Sequence, residues 1–208
     1  MYYVEFFFRY FHVLAGIVWI GMLYYFNFVQ TEYFKEAEAG AKSDAMAKLA
    51  PRALWWFRWG AMLTFLTGAY LFHKIGALGT TMPAIWVGAL AGTLMFLNVW
   101  LVIWPNQQIV LGMKEGDGPA AAAKAGLASR TNTLFSGPML LGMLGNKYLA
   151  VPIAEGGSAT GLYVALGTIV ALEINALFGG MGPMKSVMGV IHCSLGLMLA
   201  ILGILLFL

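Results

Sequence analysis

Six stretches of about 20 mostly apolar residues recur along this chain. Each is long enough to cross the roughly 30 Å hydrocarbon core of a bilayer as a helix rising 1.5 Å per residue. They cover 4–29, 55–76, 84–104, 130–149, 159–179 and 186–207. In lipid a backbone must meet its own hydrogen-bonding needs, so stretches of this length read as helices. Composition supports that reading: 61% of the 208 residues are hydrophobic and 10% are charged, against roughly 25% charged in ordinary soluble domains. A soluble fold of this length has too little interior to hide so much apolar surface. The expectation is all-α, a polytopic membrane helix bundle of about six transmembrane helices, with 1–208 forming one transmembrane domain.

The fourth stretch is the most polar. It opens with Arg130-Thr131-Asn132-Thr133 and contains Pro138, which is expected to kink it. Two connections are long. Residues 30–54 carry Lys35, Glu36, Lys42, Asp44, Lys48 and Arg52 among alanines and read as a surface-lying helix ending near Pro51. Residues 105–129 begin with Pro105-Asn106-Gln107-Gln108, after which Gly118-Pro119 opens an alanine-rich helix expected to run on into the fourth span. Nine of the 12 basic residues lie in or beside the first, third and fifth connections, and Arg9, Lys74 and Lys147 lie on the other side. The positive-inside rule then makes 30–54 and 105–129 cytoplasmic and both termini periplasmic. The first nine residues lack a basic region ahead of the apolar run, so the first span is expected to be retained rather than cleaved.

The basic residues form no run suited to nucleic acid. The single cysteine, Cys193, excludes an internal disulfide, a Cys-based metal motif and a Cys-x2-Cys-His attachment site for c-type haem. No phosphate-binding glycine loop and no paired broken helices in repeated halves are evident.

Candidate chemistry rests on the few ionisable groups within the spans, where such groups are costly and rare. His12 opens the pattern His12-x3-Gly16-x2-Trp19-x-Gly21. Gly16 lies one turn beyond His12 on the same face and leaves room for a flat porphyrin, whose iron accepts imidazole as an axial ligand. The alternative is a histidine hydrogen-bonded to a neighbouring helix. His192 shares a face with Gly189, Gly196 and Gly203, a pattern that also describes a tight helix–helix seam. His73 precedes Lys74 at the end of the second span and reads as interfacial or as a second haem ligand. On the 1.5 Å rise, upright helices leave His73 about 7 Å and His192 about 9 Å from the depth of His12. Glu173, the only acid deep in a span, fits proton relay, pairing with a cation, or a neutral carboxyl bonded to Asn175 or another helix. Asn98 and Asn27 fit interhelical bonding. Trp55, Trp56 and Trp59 form an interfacial belt around Arg58. Gly88-x3-Gly92 and the Gly189/Gly196/Gly203 stripe read as outward seams for other membrane subunits or further copies of the chain.

Several motifs together resemble a known family. Arg9-Tyr10-Phe11-His12-Val13-x2-Gly16-Ile17-x-Trp19-Ile20-Gly21 resembles the opening of the membrane domain of cytochrome c-type urate hydroxylases, the urate oxidase N-terminal family. So do Trp56-Phe57-Arg58-Trp59 with Thr64-x2-Thr67-Gly68, Gly92-Thr93-x2-Phe96-x-Asn98-Val99 running into Ile103-x-Pro105-x-Gln107, and Pro138-Met139-Leu140-Leu141-x-Met143-Leu144-x-Asn146-x-Tyr148. The order is kept from about residue 6 to 178. Family members are longer, with extra spans between the second and third of these segments, and usually end in a cytochrome c domain, of which these 208 residues hold none. Trp55 stands where the family has histidine, and Gly60 where it has an acid. Thr131-Asn132-Thr133 replaces His-Asn-Asn, and Asn146-Lys147-Tyr148 replaces Asn-His-Tyr. His12 alone keeps its place.

These features lead to a small redox-associated subunit of a bacterial cytoplasmic (inner) membrane, with haem b on His12 supporting electron transfer. A haemless accessory subunit of a larger membrane oxidase or oxygenase is the second expectation. Urate oxidation with a separate cytochrome, implied by the resemblance alone, is the third.

Overall fold

The computed structural model describes residues 2–76, 83–149 and 159–208. All regular structure among these residues is helical. The α-helices are α1 (Tyr2–Tyr24), α2 (Thr31–Glu36), α3 (Ala39–Asp44), α4 (Ala50–Lys74), α5 (Pro83–Leu97), α6 (Trp104–Val110), α7 (Gly118–Tyr148), α8 (Thr160–Phe178) and α9 (Val187–Phe207). Six of them are long: α1, α4, α5, α7, α8 and α9. Two starts show ordinary capping. The Asp117 carboxylate accepts from the Ala120 N–H at 3.0 Å, and the Ser186 hydroxyl accepts from the Gly189 N–H at 2.9 Å.

Four helical runs are long and apolar enough to cross a membrane: Tyr3–Glu36, Pro83–Val110, Thr160–Phe178 and Val187–Phe207. Their exposed faces are apolar at helical spacing, as with Tyr163, Val170, Ile174 and Leu177 on α8 and Leu195, Leu199 and Leu206 on α9. Water would not tolerate such stripes, and lipid does. The chain is a multi-pass integral membrane protein. The other two expected spans fall on α4 and α7, which are long enough but less apolar. Arg52, Arg58, Lys74 and the tryptophans dilute α4, and Lys124 and the run Arg130-Thr131-Asn132-Thr133 dilute α7.

Prolines do not end helices where expected. Pro51 stands in the first turn of α4 rather than at the end of the preceding helix. Pro105 stands in the first turn of α6, so the third span runs on to Val110, and the unstructured part of the second connection shrinks to 111–117. In both places a π-helical stretch precedes the proline: Ala45–Leu49 and Asn98–Ile103. A proline in regular α-helix clashes with the carbonyl one turn back and offers it no N–H, whereas a wider turn re-spaces those carbonyls. A third π-helical stretch, Tyr25–Gln30, joins α1 to α2. The α7 helix begins at Gly118 as expected and is continuous through Pro138.

The residues form two compact units. Unit 1 comprises 1–67 and 96–130. Its core includes Trp19, Leu23, Phe57, Ala61, Val99 and Ala128. Here α1 and α4 lie so close that a Cβ on Gly60 would stand 3.1 Å from the Trp19 backbone nitrogen. Phe65 and Phe96 stack at 4.2 Å. Unit 2 comprises 68–95 and 131–208. Its core includes Val87, Met95, Phe135, Ile169 and Ile201. Gly88 is buried, and a Cβ there would stand 3.0 Å from the Gly142 and Met143 backbone. The Gly88 seam expected to face a partner is therefore an internal contact between α5 and α7, allowed by the absence of side chains on both sides.

Candidate functional site

His12 is the candidate that the structure builds most fully. It sits midway along α1, half-buried against α4. Its Nδ1 lies 2.9 Å from the Thr64 carbonyl oxygen and 3.1 Å from the Thr67 hydroxyl. The carbonyl only accepts, so Nδ1 carries the proton and donates to it. The Thr67 hydroxyl donates to the Leu63 carbonyl at 2.6 Å, which leaves its lone pairs facing Nδ1. The proton on Nδ1 leaves Nε2 with a bare lone pair, and Nε2 has no hydrogen-bond partner among the described residues. A ring fixed through one N–H to a backbone carbonyl, with the other nitrogen available, is the usual state of a metal-ligating histidine. It also satisfies the alternative reading, since His12 is bonded to a neighbouring helix. Gly16 lies beside the same contact: a Cβ there would stand 3.9 Å from the Thr64 methyl, an ordinary distance. Gly16 thus leaves modest room next to Thr64 rather than a close backbone crossing.

The remaining candidates stand apart in character. His73, at the end of α4, and His192, on α9, are exposed, and neither ring makes a hydrogen bond among the described residues. Beside His192, Gly196 and Gly203 face open space, but Gly189 does not: a Cβ there would overlap the Pro183 carbonyl and the Ser186 hydroxyl. Gly189 is fixed by its own helix start, not by a partner. Glu173 is buried on α8 and is not without a partner. The Asn175 side chain turns to the helix end, donating to the Gly180 carbonyl at 3.1 Å. Asn98 is buried where α5 passes into its π-helical stretch. Among the described residues no three His, Cys, Asp or Glu side chains gather as a metal site.

Sequence reasoning missed which way the polar face of α7 turns. Its run Arg130-Thr131-Asn132-Thr133, read as the polar first half of the weakest span, is buried, and so is Ser136. In unit 2 the Asn132 amide donates to the Met95 carbonyl at 2.9 Å. In unit 1 the Asn27 amide donates to the Ser129 hydroxyl at 2.8 Å and to the Leu23 carbonyl at 2.9 Å. The signal was present, because small polar residues in a lipid-facing chain must turn inward. Thr64 and Thr67, the partners of His12, were noted only as part of a motif. Arg58, assigned to the aromatic belt, lies with its guanidinium carbon 3.3 Å from the centre of the Trp104 ring. Gly60, standing where the resembled family has an acid, is where α1 crosses α4, and a longer side chain has no room there.

The urate oxidase N-terminal family model matches residues 77–205, well over half of the chain. The chain belongs to the urate oxidase N-terminal family. The match to that family spans α5 through α9. It overlaps the resemblance read from the sequence between 77 and 178, and begins beyond His12, Thr64 and Thr67. No curated protein and no solved structure matches the chain.

Proposed function

We propose that this member of the urate oxidase N-terminal family is a small redox-associated membrane subunit that holds a b-type haem through His12 and supports electron transfer. The observation that carries the reading is the hydrogen bond from His12 Nδ1 to the Thr64 carbonyl, 2.9 Å. It fixes the tautomer that leaves Nε2 as a ligand. Bound there, haem would supply a one-electron carrier. The protein's part is to orient the imidazole through Thr64 and Thr67 and, at Gly16, to leave space beside it. His73 and His192, the other histidines read from the sequence as possible haem ligands, make no ring hydrogen bond among the described residues.

The same proposal takes α4 and α7 as additional spans, six in all. At 1.5 Å per residue they are about 37 and 46 Å long, more than the roughly 30 Å needed. The polar run of α7 is buried, so it need not meet lipid. The nine-to-three distribution of basic residues favours periplasmic termini in a bacterial inner membrane.

A second reading, a haemless accessory subunit, is favoured by α9, where Gly196 and Gly203 present an open small-residue face beside the exposed His192. The family name also brings urate oxidation with a separate cytochrome, which an activity assay with added cytochrome c tests. Reduced-minus-oxidised spectra of the parent and of His12→Ala decide between the first two. The expected outcome is an α-band in the parent that is lost in the variant. An α-band that survives unchanged removes His12 as a ligand. Its absence from the parent, expressed with ample haem, leaves the accessory subunit.

A further inference from the structure

Unit 1 contains a surplus of buried hydrogen-bond donors. Nε and Nη1 of Arg58, Nη1 of Arg130, and the indole nitrogens of Trp19 and Trp100 are buried with no hydrogen-bond partner among the described residues, against one acceptor, Oε1 of Gln30. The whole Arg130 residue is only 5% exposed. The described salt bridges are Arg9–Glu5, Lys35–Glu32 and Lys48–Asp44, all exposed, so neither arginine is ion-paired. Glu32 is close enough to act on Arg130 electrostatically, but its carboxylate is committed to Lys35 at 2.7 Å.

A chain of contacts links these groups. Arg58 rests on Trp104, and the adjacent Trp59 ring meets Trp100 at 5.7 Å. Gly60, next along, abuts Trp19. Phe57 meets Phe26 at 5.6 Å, while the neighbouring Asn27 bonds Ser129, the residue before Arg130. Phe26 and Asn27, consecutive in the π-helical stretch Tyr25–Gln30, thus touch Phe57 and Ser129, the residues that precede the two arginines. Guanidinium nitrogens withdrawn from water favour a counter-charge as well as acceptors, and water supplies only the latter. An oxyanion supplies both, and arginine's planar fork fits it. The exposed Trp55, Trp56 and Trp59 mark this part of α4 as the membrane interface, where phosphate groups are found.

We propose that unit 1 binds a phosphate-type oxyanion between Arg58 and Arg130. Stacking on Trp104 holds Arg58 flat, and the indole N–H groups add donors. The anion is either a phospholipid headgroup or free phosphate. The inference does not rest on haem.

The test uses the full chain in nanodiscs of phosphatidylcholine alone, of phosphatidylcholine with a minority of phosphatidylglycerol, and of phosphatidylcholine with added inorganic phosphate, with tryptophan emission and thermal midpoint as readouts. A response to phosphatidylglycerol identifies the headgroup as the source, and a response to phosphate identifies the free anion. In either case Arg58→Gln and Arg130→Gln should weaken the apparent affinity about tenfold or more, with partial recovery in Arg58→Lys. Native mass spectrometry of the parent, ejected from the mixed bilayer, stands independently of whether the variants fold. Retention of phosphatidylglycerol over phosphatidylcholine supports the site. The proposal is overturned if the parent responds to neither anion and retains neither lipid preferentially, or if the glutamine variants respond as the parent does.

Discussion

Replacing Gly142 with alanine tests whether α5 and α7 are held by direct backbone contact. The added Cβ would come within 2.5 Å of the Ala84 carbonyl oxygen and of the Gly88 Cα. Comfortable carbon contacts lie near 3.5–4.0 Å, so the two helices must part locally by about 1 Å. Both obstacles are backbone, and no rotamer change relieves them. A gap of about 1 Å forfeits up to half of the dispersion energy of the atoms lining it. Overpacking of this kind costs about 1–3 kcal/mol, and the absence of any flexible neighbour places Gly142→Ala near 3 kcal/mol. Gly167→Ala is the matched control: Gly167 is exposed on α8, with nothing within 4 Å of the new Cβ. That substitution should be neutral or stabilise by up to about 1 kcal/mol through helix propensity. Unfolding of the full chain in mixed dodecylmaltoside and SDS micelles, followed by circular dichroism, gives both values. Equal SDS midpoints for the two variants would refute the reasoning.

Two further outcomes are expected. In a Cys193→Ser background, cysteines placed at Ser43 and Glu115, both exposed, should resist an impermeant thiol reagent added to intact cells; labelling from outside at either reverses the orientation. A double-mutant cycle on Asn27→Ala and Ser129→Ala should give a coupling energy of about 0.6–1.7 kcal/mol in the same unfolding assay, and additive effects would mean that the 2.8 Å bond contributes nothing.

Apolar length made the four most hydrophobic runs legible, because lipid imposes that pattern residue by residue. Gly118-Pro119 likewise marked the start of α7. The continuation of helix past Trp104-Pro105 was not legible: the rule that helices stop before proline assumes 3.6 residues per turn, and the wider turn from Asn98 to Ile103 has no distinct composition. For the candidate site, His12 was readable as an ionisable group in an apolar run. Its acceptor was not, because a backbone carbonyl leaves no mark in the sequence. The inward turn of Arg130 to Ser136 was missed because hydropathy averages over a helix and discards its faces.

The three π-helical stretches among the described residues all fall in unit 1, and polar side chains tie down carbonyls in two of them. The Thr31 hydroxyl donates to the Phe26 carbonyl at 2.6 Å, and the Asn106 amide donates to the Val102 carbonyl at 2.7 Å. In lipid an unmet carbonyl has no water to turn to. Thr31 and Asn106 therefore act as backbone donors carried on side chains. Exchanging them for valine or leucine would make the sequence look better suited to a membrane while leaving the chain less able to remain folded in one. Across these turns hydrophobicity and stability run in opposite directions, and a redesign guided by the former would undo the latter.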